Sequence, residues 1–343
     1  MTAMTEDGLT RPGITPAQRR FFDDNGYLVL AGFFPPERIA AVRSHIDALW
    51  SRRGAGGPFV IDQYIGDPRE QRRYFRDVED AVRSQPYKLN DLHLDDTVIQ
   101  HLCLDRRLVA VLGVLLGAPP LAINSLFLEY GSQQPAHFDT FYMPSKTPNM
   151  MAASWIAIDP VTDSNGPLFY YPGSHKVEPF RFSHGRLEAI FAEMPAAEAH
   201  MRRIAEASGL RPLRFHAQPG DVLIWHAQLL HGGLPILNKG ETRTSLVTHY
   251  WTLHDHPDPA DRIDIGEGQF VLRRPHQVVL DDAALAEIDA FLAALDTPPE
   301  HRAAAPPEFD ARAYLLRNKD VFADRCDPYS HYHHHGRREG RAW

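Results

Sequence analysis

Apolar residues recur every three or four positions in two early segments, residues 36–50 and 98–116. This spacing predicts two amphipathic helices. A shorter helix is predicted to begin at Pro16, because proline is favoured at the first helical position, and a short apolar strand follows at residues 27–30. We therefore expect residues 15–119 to be mainly helical.

From residue 120 onward the period changes to short alternating or wholly apolar runs separated by Gly, Pro and Asn. Such runs are typical of a β-sandwich or barrel. The runs are residues 122–130, 152–158, 168–171, 221–226 and 244–251. Residues 187–208 favour a helix, and we interpret residues 180–219 as an insertion over a barrel mouth. The predicted fold class is mainly β with flanking helices.

No Ser/Gly-rich stretch or charge run divides the middle of the 343 residues, so we predict a single catalytic domain over residues 1–343. A further helix is expected near residues 281–295. The predicted parts are a flexible N terminus (1–14), a mainly helical part (15–119), a β core (120–255) with its insertion (180–219), and a C-terminal extension (256–343).

Composition narrows the classes of partner. A net charge of −8 argues against general affinity for nucleic acid or anionic membranes, which needs clustered positive charge. The two cysteines cannot form a disulfide framework, and neither a signal sequence nor a membrane-spanning apolar run is evident. We expect a cytoplasmic enzyme whose partner is a small molecule. The oligomeric state is left open.

His137 and Asp139 are the first pair with clear chemical meaning. In a strand, residues two apart project to one face, so the imidazole and the carboxylate can bind one ion. His231, after the strand-like residues 221–226, can supply a third ligand. Two His and one carboxylate leave open positions, as non-heme Fe(II) oxygenases require, whereas zinc prefers a closed tetrahedron. Among 19 histidines, however, a lone H-x-D pair is a weak signal.

Arg243 opens the apolar run at residues 244–251 and would share a strand face with Ser245. A guanidinium and a hydroxyl on one face can hold a carboxylate of a ligand. The alternative is a salt bridge to an Asp or Glu from elsewhere in the chain.

Several motifs occur together in a fixed order, and together they resemble the phytanoyl-CoA dioxygenase family of 2-oxoglutarate oxygenases. The resemblance implies a double-stranded β-helix (jelly-roll, cupin-like) core, Fe(II), 2-oxoglutarate and O₂ as cofactor and cosubstrates, and usually hydroxylation of a small molecule. The motifs are FFDDNGYLVL (21–30), HFD (137–139), the segment 155–168 ending in NGPL, PGSHK (172–176), the segment from Gly220-Asp221 to His231-Gly232, and Arg243.

By position in these motifs, the resemblance makes His137, Asp139 and His231 the iron ligands and Arg243 the anchor of the far carboxylate of 2-oxoglutarate. Many members carry Ser or Thr two residues after the distal histidine, where this chain has Gly233. The hydroxyl contact would then come from Ser245 alone.

Three further residues are expected near the cosubstrate by the same resemblance. Asn124 stands where relatives often place a polar contact, Trp155 would lie on a barrel strand, and Lys88 on the strand-like residues 87–92 would neutralise a carboxylate. For each of them an ordinary core or surface role is the alternative.

The outcome of the reaction and the substrate are less defined. The resemblance favours hydroxylation over halogenation, because halogenating relatives need a small residue in place of Asp139. Desaturation, ring formation and epoxidation stay open. Aromatic and apolar residues around the iron motif predict a partly apolar substrate, such as a secondary metabolite or a lipid-like molecule, or else they are core. These residues are Phe138, Phe141, Tyr142, Met143, Met150 and Met151.

Other histidines are expected to be structural or unoccupied. His226 and His175 are interpreted as packing residues, and residues 331–335 as a tract without a physiological ligand. We interpret His249, His254 and His256 with Asp255 as a surface cluster.

Two alternative functions are kept. One is a metal-binding cupin-type barrel of another class, an isomerase or an oxygenase independent of 2-oxoglutarate. The other is a non-catalytic ligand-binding barrel.

Overall fold

The computed structural model describes residues 13–55, 59–67, 70–207, 209–266, 269–272, 282–306, 309–318, 321–322, 324–339 and 341. Most of the predicted flexible N terminus, residues 1–12, lies outside them. The chain divides into two compact units, residues 1–273 and 274–343. The sequence predicts a C-terminal extension from residue 256, whereas the second unit begins at residue 274.

Helices form where the sequence supplies their ends and their apolar faces. Thr15 caps the first helix in a capping box with Gln18, and Gly26 ends it in the left-handed conformation (φ 78°). The helices of the first unit are α1 (Pro16–Asn25), α2 (Pro36–Arg52), α3 (Thr97–Cys103), α4 (Arg106–Leu116) and α5 (Met194–Ala207).

The strands of the first unit include the five runs predicted from the sequence and several that were not predicted. In chain order they are β1 (Tyr27–Leu30), β2 (Val60–Gln63), β3 (Gln71–Tyr74), β4 (Tyr87–Asn90), β5 (Pro120–Leu128), β6 (Ala152–Ala157), β7 (Leu168–Tyr170), β8 (Leu213–Phe215), β9 (Val222–His226), β10 (His231–Gly233), β11 (Ser245–Thr252), β12 (Arg262–Gly266) and β13 (Gln269–Leu272).

Two sheets arise from these strands within the described residues. The larger runs β1-β9-β6-β11-β5-β4-β2-β3, and β13, with β12 beside it, adds to β5. The smaller runs β10-β7-β8. All pairings are antiparallel except that of β13 with β5. The predicted fold class, a jelly-roll β core with flanking helices, is confirmed.

The larger sheet buries side chains on both faces, and its central strands β5, β6, β9 and β11 are buried almost throughout. One face packs in a common core with α2, α3 and α4 through residues such as Ile46, Leu102, Leu112, Ile156 and Leu246. The other face packs against the smaller sheet and its flanking loops through Trp155, Leu168, Tyr170, Phe215, Leu223, Trp225 and Val247. This second core is the interior of the jelly roll.

The segment interpreted as an insertion, residues 180–219, does more than cover the core. Its helix α5 begins at Met194, later than predicted, and its last part forms β8, a strand of the smaller sheet. Pro219 then leads directly to β9. The end of the predicted insertion is therefore part of the β core. The sequence does not show this, because a run of three residues at 213–215 is too short to be recognised as a strand.

The second unit is helical in its described part, with a core that includes Ile288, Tyr314, Leu315 and Tyr332. Its elements are α6 (Asp282–Ala293), α7 (Pro299–Ala304), α8 (Ala311–Arg317), α9 (Pro328–His331) and a π-helical turn (Tyr332–Gly336). No helix in the described parts of either unit is long and apolar enough to span a membrane.

Gly220 fixes the turn that leads into β9. Its φ of 93° lies in the left-handed region, and its carbonyl accepts a hydrogen bond from the Phe34 backbone N–H at 3.0 Å. A Cβ at this position would collide with the Phe34 carbonyl. The start of α2 is thus held against the strand that enters the core.

We expect Gly220→Ala to lower the free energy of unfolding by about 2–5 kcal/mol, because the left-handed conformation costs a non-glycine residue about 1–2 kcal/mol and overpacking about 1–3 kcal/mol. Gly32→Ala is the matched control, since Gly32 has φ 59° but no atom within 4 Å of a Cβ. Urea unfolding followed by tryptophan fluorescence measures both. Equal losses would show that the Phe34 contact is unimportant.

Candidate active site

His137 and His231 are joined through their backbones at the edge of the jelly roll. The His137 N–H donates to the His231 carbonyl at 2.9 Å, and the His231 N–H donates back at 3.1 Å. His231 begins β10, but His137 forms only an isolated bridge and Asp139 starts a 3-10 turn. The prediction of a strand through residues 137–139 is therefore wrong. Phe138 between them is extended, which still directs both side chains to one side.

The three side chains meet in a buried group. His137, Asp139 and His231 are 8%, 3% and 5% exposed. The Nε2 atoms of both histidines lie 3.6 Å from Asp139 Oδ1. One ion with metal–ligand bonds of about 2.1 Å can span such separations.

Backbone carbonyls orient both imidazoles. His137 Nδ1 donates to the Pro135 carbonyl at 2.8 Å, and His231 Nδ1 donates to the Leu229 carbonyl at 2.8 Å. Each Nε2 is therefore the unprotonated nitrogen and offers its lone pair to the centre of the group. Burial lowers the pKa of His231 to about 4, which keeps that ring neutral.

Asp139 is held with one oxygen free. The indole N–H of Trp225 donates to its Oδ2 at 2.7 Å, which leaves Oδ1 facing the two histidines. Burial opposes ionisation, but the contacts of Asp139 with the surrounding histidines hold its pKa well below the ordinary value. The donor set is thus two imidazole nitrogens and one carboxylate, which suits a divalent iron ion.

Arg243 is a buried cation with no counter-charge among the residues that the structure describes. It is 2% exposed, and its Nε has no hydrogen-bond partner in the described part of the chain. Burial alone lowers its pKa to about 10, with no carboxylate acting against that shift. Its guanidinium lies 5.7 Å from the centre of the Trp155 ring. The alternative of an internal salt bridge is not seen among the described residues.

The absence of a side chain at Gly131 leaves the space that the Arg243 guanidinium occupies. With φ 66°, this glycine lies so close to Arg243 that a Cβ would collide with Nη2 and stand 2.6 Å from Cζ. The Arg243 backbone N–H donates to the Glu129 carbonyl at 2.7 Å, so both ends of the residue are fixed by the segment that follows β5.

Ser245 provides a second unpartnered polar group. It is fully buried, and its Oγ has no partner in the described residues. Ser245, Val247 and His249 alternate along β11 and pair with the positions of Ala157, Trp155 and Ala153 on β6. One face of β11 therefore leads from the Arg243 end to the triad.

His249 belongs to the site, and the sequence interpretation missed it. Its Nε2 lies 3.7 Å from Asp139 Oδ2, and its Nδ1 lies 3.2 Å from Asn124 Oδ1. Asn124 Nδ2 in turn donates to Asp91 Oδ1 at 2.9 Å. Two-residue alternation from Ser245 is the signal that places His249 on the inner face.

The prediction that His249, His254, Asp255 and His256 form a surface cluster is wrong, because three of the four are buried. His249, Asp255 and His256 are 3%, 6% and 7% exposed, and only His254 is on the surface. Asp255 accepts hydrogen bonds from Thr147, and the His256 ring stacks on Trp251 at 5.1 Å. Asp255 and His256 follow the buried end of β11 and are buried with it.

The remaining predicted cosubstrate residues have different surroundings. Trp155 is 1% exposed and stands beside Arg243, whereas Lys88 on β4 forms an ion pair with Asp62 at 3.2 Å. Gly233 has no room for a side chain, since a Cβ would lie 2.9 Å from Ser132 Oγ. Contacts of these residues with the cosubstrate stay predictions.

Two of the aromatic residues near the iron motif, Phe138 and Phe141, are core, whereas Tyr142 is 39% exposed and its ring centroid lies 5.5 Å from that of His137. Phe138 and Phe141 are 2% and 1% exposed and pack with Phe182 and with Met201 of α5. His226, interpreted as a packing residue, lies against Phe22 and His175 at ring distances of 6.5 and 5.3 Å.

A cleft of about 780 Å³ is lined by the loop at residues 144–149, by residues between 175 and 188, and by Gln228. Six of its lining residues are charged, four of them cationic and two anionic. They are Lys146, Lys176, Arg181, Arg186, Glu178 and Glu188.

Known proteins resemble this chain in sequence and in fold. A probable phytanoyl-CoA dioxygenase of Caenorhabditis elegans is 26% identical over 260 residues, which is 70% of this chain and 77% of that relative. The 1-deoxypentalenic acid 11-beta-hydroxylase of Streptomyces exfoliatus is 26% identical over 255 residues, 69% of this chain and 81% of the relative.

Among solved structures, the non-heme alpha ketoglutarate dependent carbocyclase SnoK from nogalamycin biosynthesis has the same fold. It superimposes with a TM-score of 0.56 at 18% identity, covering 75% of this chain and 96% of that one.

The sequence profile of the phytanoyl-CoA dioxygenase (PhyH) family matches residues 22–245, more than half of the 343 residues. The match runs from α1 to the start of β11 and contains both candidate iron histidines, Asp139 and Arg243. Neither an isomerase of another cupin class nor a non-catalytic barrel is favoured by it. The chain belongs to the phytanoyl-CoA dioxygenase family and is an iron- and 2-oxoglutarate-dependent oxygenase.

Proposed function

We propose that this enzyme hydroxylates a C–H bond of a small, partly apolar molecule and converts 2-oxoglutarate to succinate and CO₂. His137, Asp139 and His231 bind the iron, and Arg243 with Ser245 binds the distal carboxylate of 2-oxoglutarate. A bound iron ion would activate O₂, which is the oxidant, and 2-oxoglutarate, on its conversion to succinate and CO₂, would supply two of the four electrons that O₂ accepts.

The unpaired charge of Arg243 carries this proposal. A guanidinium that is 2% exposed and has no carboxylate partner among the described residues is costly to bury. A dicarboxylate cosubstrate supplies the missing charge, and the free Oγ of Ser245 supplies a further hydrogen bond. The buried triad then receives the other end of the same molecule.

The protein residues mainly position and shield the reactants. Trp225 and the carbonyls of Pro135 and Leu229 fix the ligand atoms before any ion arrives. The apolar interior between the sheets excludes water from the reacting atoms. His249, held by Asn124, acts as a positioning residue for Asp139.

For the substrate, we infer a molecule with an apolar body and an anionic or polar end. The cationic excess in the cleft at residues 144–149 supports this, and one relative is named for hydroxylating an acid. We propose a cytoplasmic enzyme that acts on small molecules and on neither nucleic acid nor membrane.

Anaerobic addition of Fe(II) and then 2-oxoglutarate tests the proposed site without a substrate. We expect a weak visible charge-transfer band, because the keto and near-carboxylate oxygens chelate the iron. Succinate, which lacks the keto oxygen, is the control and gives no band. His137→Ala and Asp139→Ala are expected to lose the band. A colourless mixture with folded wild-type protein would refute the assignment.

Gly131→Ala tests the anchor without altering a charged group. We expect its Cβ to displace the Arg243 guanidinium and to raise the Kd for 2-oxoglutarate at least tenfold, or about 1.4 kcal/mol. Gly117→Ala is the matched control, because Gly117 has φ 69° but an open Cβ position. Titration of the visible band gives both constants. An unchanged Kd in Gly131→Ala would argue against Arg243 as the anchor.

His249→Leu tests the positioning role. We expect Fe(II) affinity to fall about 10-fold or more, since loss of a residue that supports a metal ligand has that typical cost. His249→Gln should retain most of the affinity, because its amide can still face Asp139. His256→Leu removes another buried histidine outside the site and serves as control. Similar losses in both Leu variants would indicate a packing effect alone.

A further inference from the structure

A second group of histidines lies in the C-terminal unit. His301 of α7 and His333 and His334 of the π-helical turn each place one ring nitrogen within 4.8 Å of the others. Among the described residues, the only other such group is the iron triad. None of the three forms an ion pair with a carboxylate in the part of the chain that the structure describes.

Hydrogen bonds bring these histidines together across 32 positions of sequence. Asp327 caps α9 by accepting from the Tyr329 and Ser330 backbone N–H groups, and it also accepts from the Thr297 hydroxyl just before α7. His301 Nδ1 lies 2.9 Å from Ser330 Oγ. These hydrogen bonds hold α7, which carries His301, against α9, which precedes His333 and His334, without any bound ligand.

The three rings face one another closely. The ring centroid of His301 lies 4.8 Å from that of His333 and 4.7 Å from that of His334, and the centroids of His333 and His334 are 4.8 Å apart. When His301 Nδ1–H donates to Ser330, its Nε2 lone pair is left free for a metal. His333 and His334 are exposed, so rotation of their side chains can draw the nitrogens together. π-helical turns such as this one are frequent at functional sites.

We propose that His301, His333 and His334 bind one Zn²⁺ ion, with water as the fourth ligand. Three imidazoles and no carboxylate form a donor set that zinc accepts at Zn–N distances of about 2.0–2.1 Å. The ion links α7 to the chain after α9 and thereby stabilises the C-terminal unit. This site differs chemically from the candidate iron triad, which includes a carboxylate.

Zinc stoichiometry after removal of all metal and dialysis against Zn²⁺ tests the proposal on the full chain. In the Asp139→Ala background, which disables the iron triad, we expect one zinc per chain. Adding His301→Ala, His333→Ala or His334→Ala should remove it, with at least a tenfold rise in Kd. His335→Ala is the matched control, because His335 is an exposed neighbour on the same turn but lies outside the group.

Non-specific binding by a histidine-rich tract gives a different pattern. It predicts equal losses for His333→Ala and His335→Ala and no effect of His301→Ala, which would overturn the proposal, as would an absence of zinc in the Asp139→Ala parent. Far-UV circular dichroism checks that each variant folds. In an otherwise wild-type chain, the His301→Ala substitution should leave the iron–2-oxoglutarate band unchanged, which separates this site from the proposed catalytic one.

Discussion

The paired backbone hydrogen bonds between His137 and His231 are the constraint on which the catalytic centre depends. They fasten the loop after β5, a strand of the larger sheet, to β10 of the smaller sheet. The site lies where the two sheets are joined, so the separation of the imidazoles is set by the backbone. Asp139 completes the group because extended Phe138 carries the chain to the same side.

The three polar side chains of the candidate site can be buried in an apolar interior because each of them has a hydrogen-bond partner. The Trp225 indole N–H donates a hydrogen bond to one oxygen of Asp139, and Nδ1 of each histidine donates to a backbone carbonyl. The atoms left over are those that a ligand must satisfy. Arg243 and Ser245 follow the same pattern, since a buried guanidinium and a buried hydroxyl without partners among the described residues cost stability. If they bind the distal carboxylate of 2-oxoglutarate as proposed, the bound cosubstrate restores stability that the unliganded enzyme gives up.

Sequence patterns predicted the β core because its strands are short, apolar and separated by turn residues. They missed β2 and β3, of which β3 is exposed and rich in Gln and Arg, and whose place comes from pairing at the sheet edge. His249 was misjudged because its neighbours His254 and Asp255 suggested a surface cluster. Two-residue alternation from Ser245 would have placed it inside, but its contact with Asp139 depends on a loop whose path only tertiary structure fixes.

The two histidine groups differ in the physical basis of their selectivity. The candidate iron triad is buried, backbone carbonyls fix the tautomers of its histidines, and Asp139 adds a hard, charged oxygen of the kind that favours a ferrous ion with open positions. The C-terminal group lacks a carboxylate and is partly exposed, so two of its rings must give up rotational freedom when a metal binds. Its affinity then depends on how firmly His301 is held in advance. The bond to Ser330 and the cap at Asp327 hold that residue, which explains why a ring so distant in sequence lies among the other two.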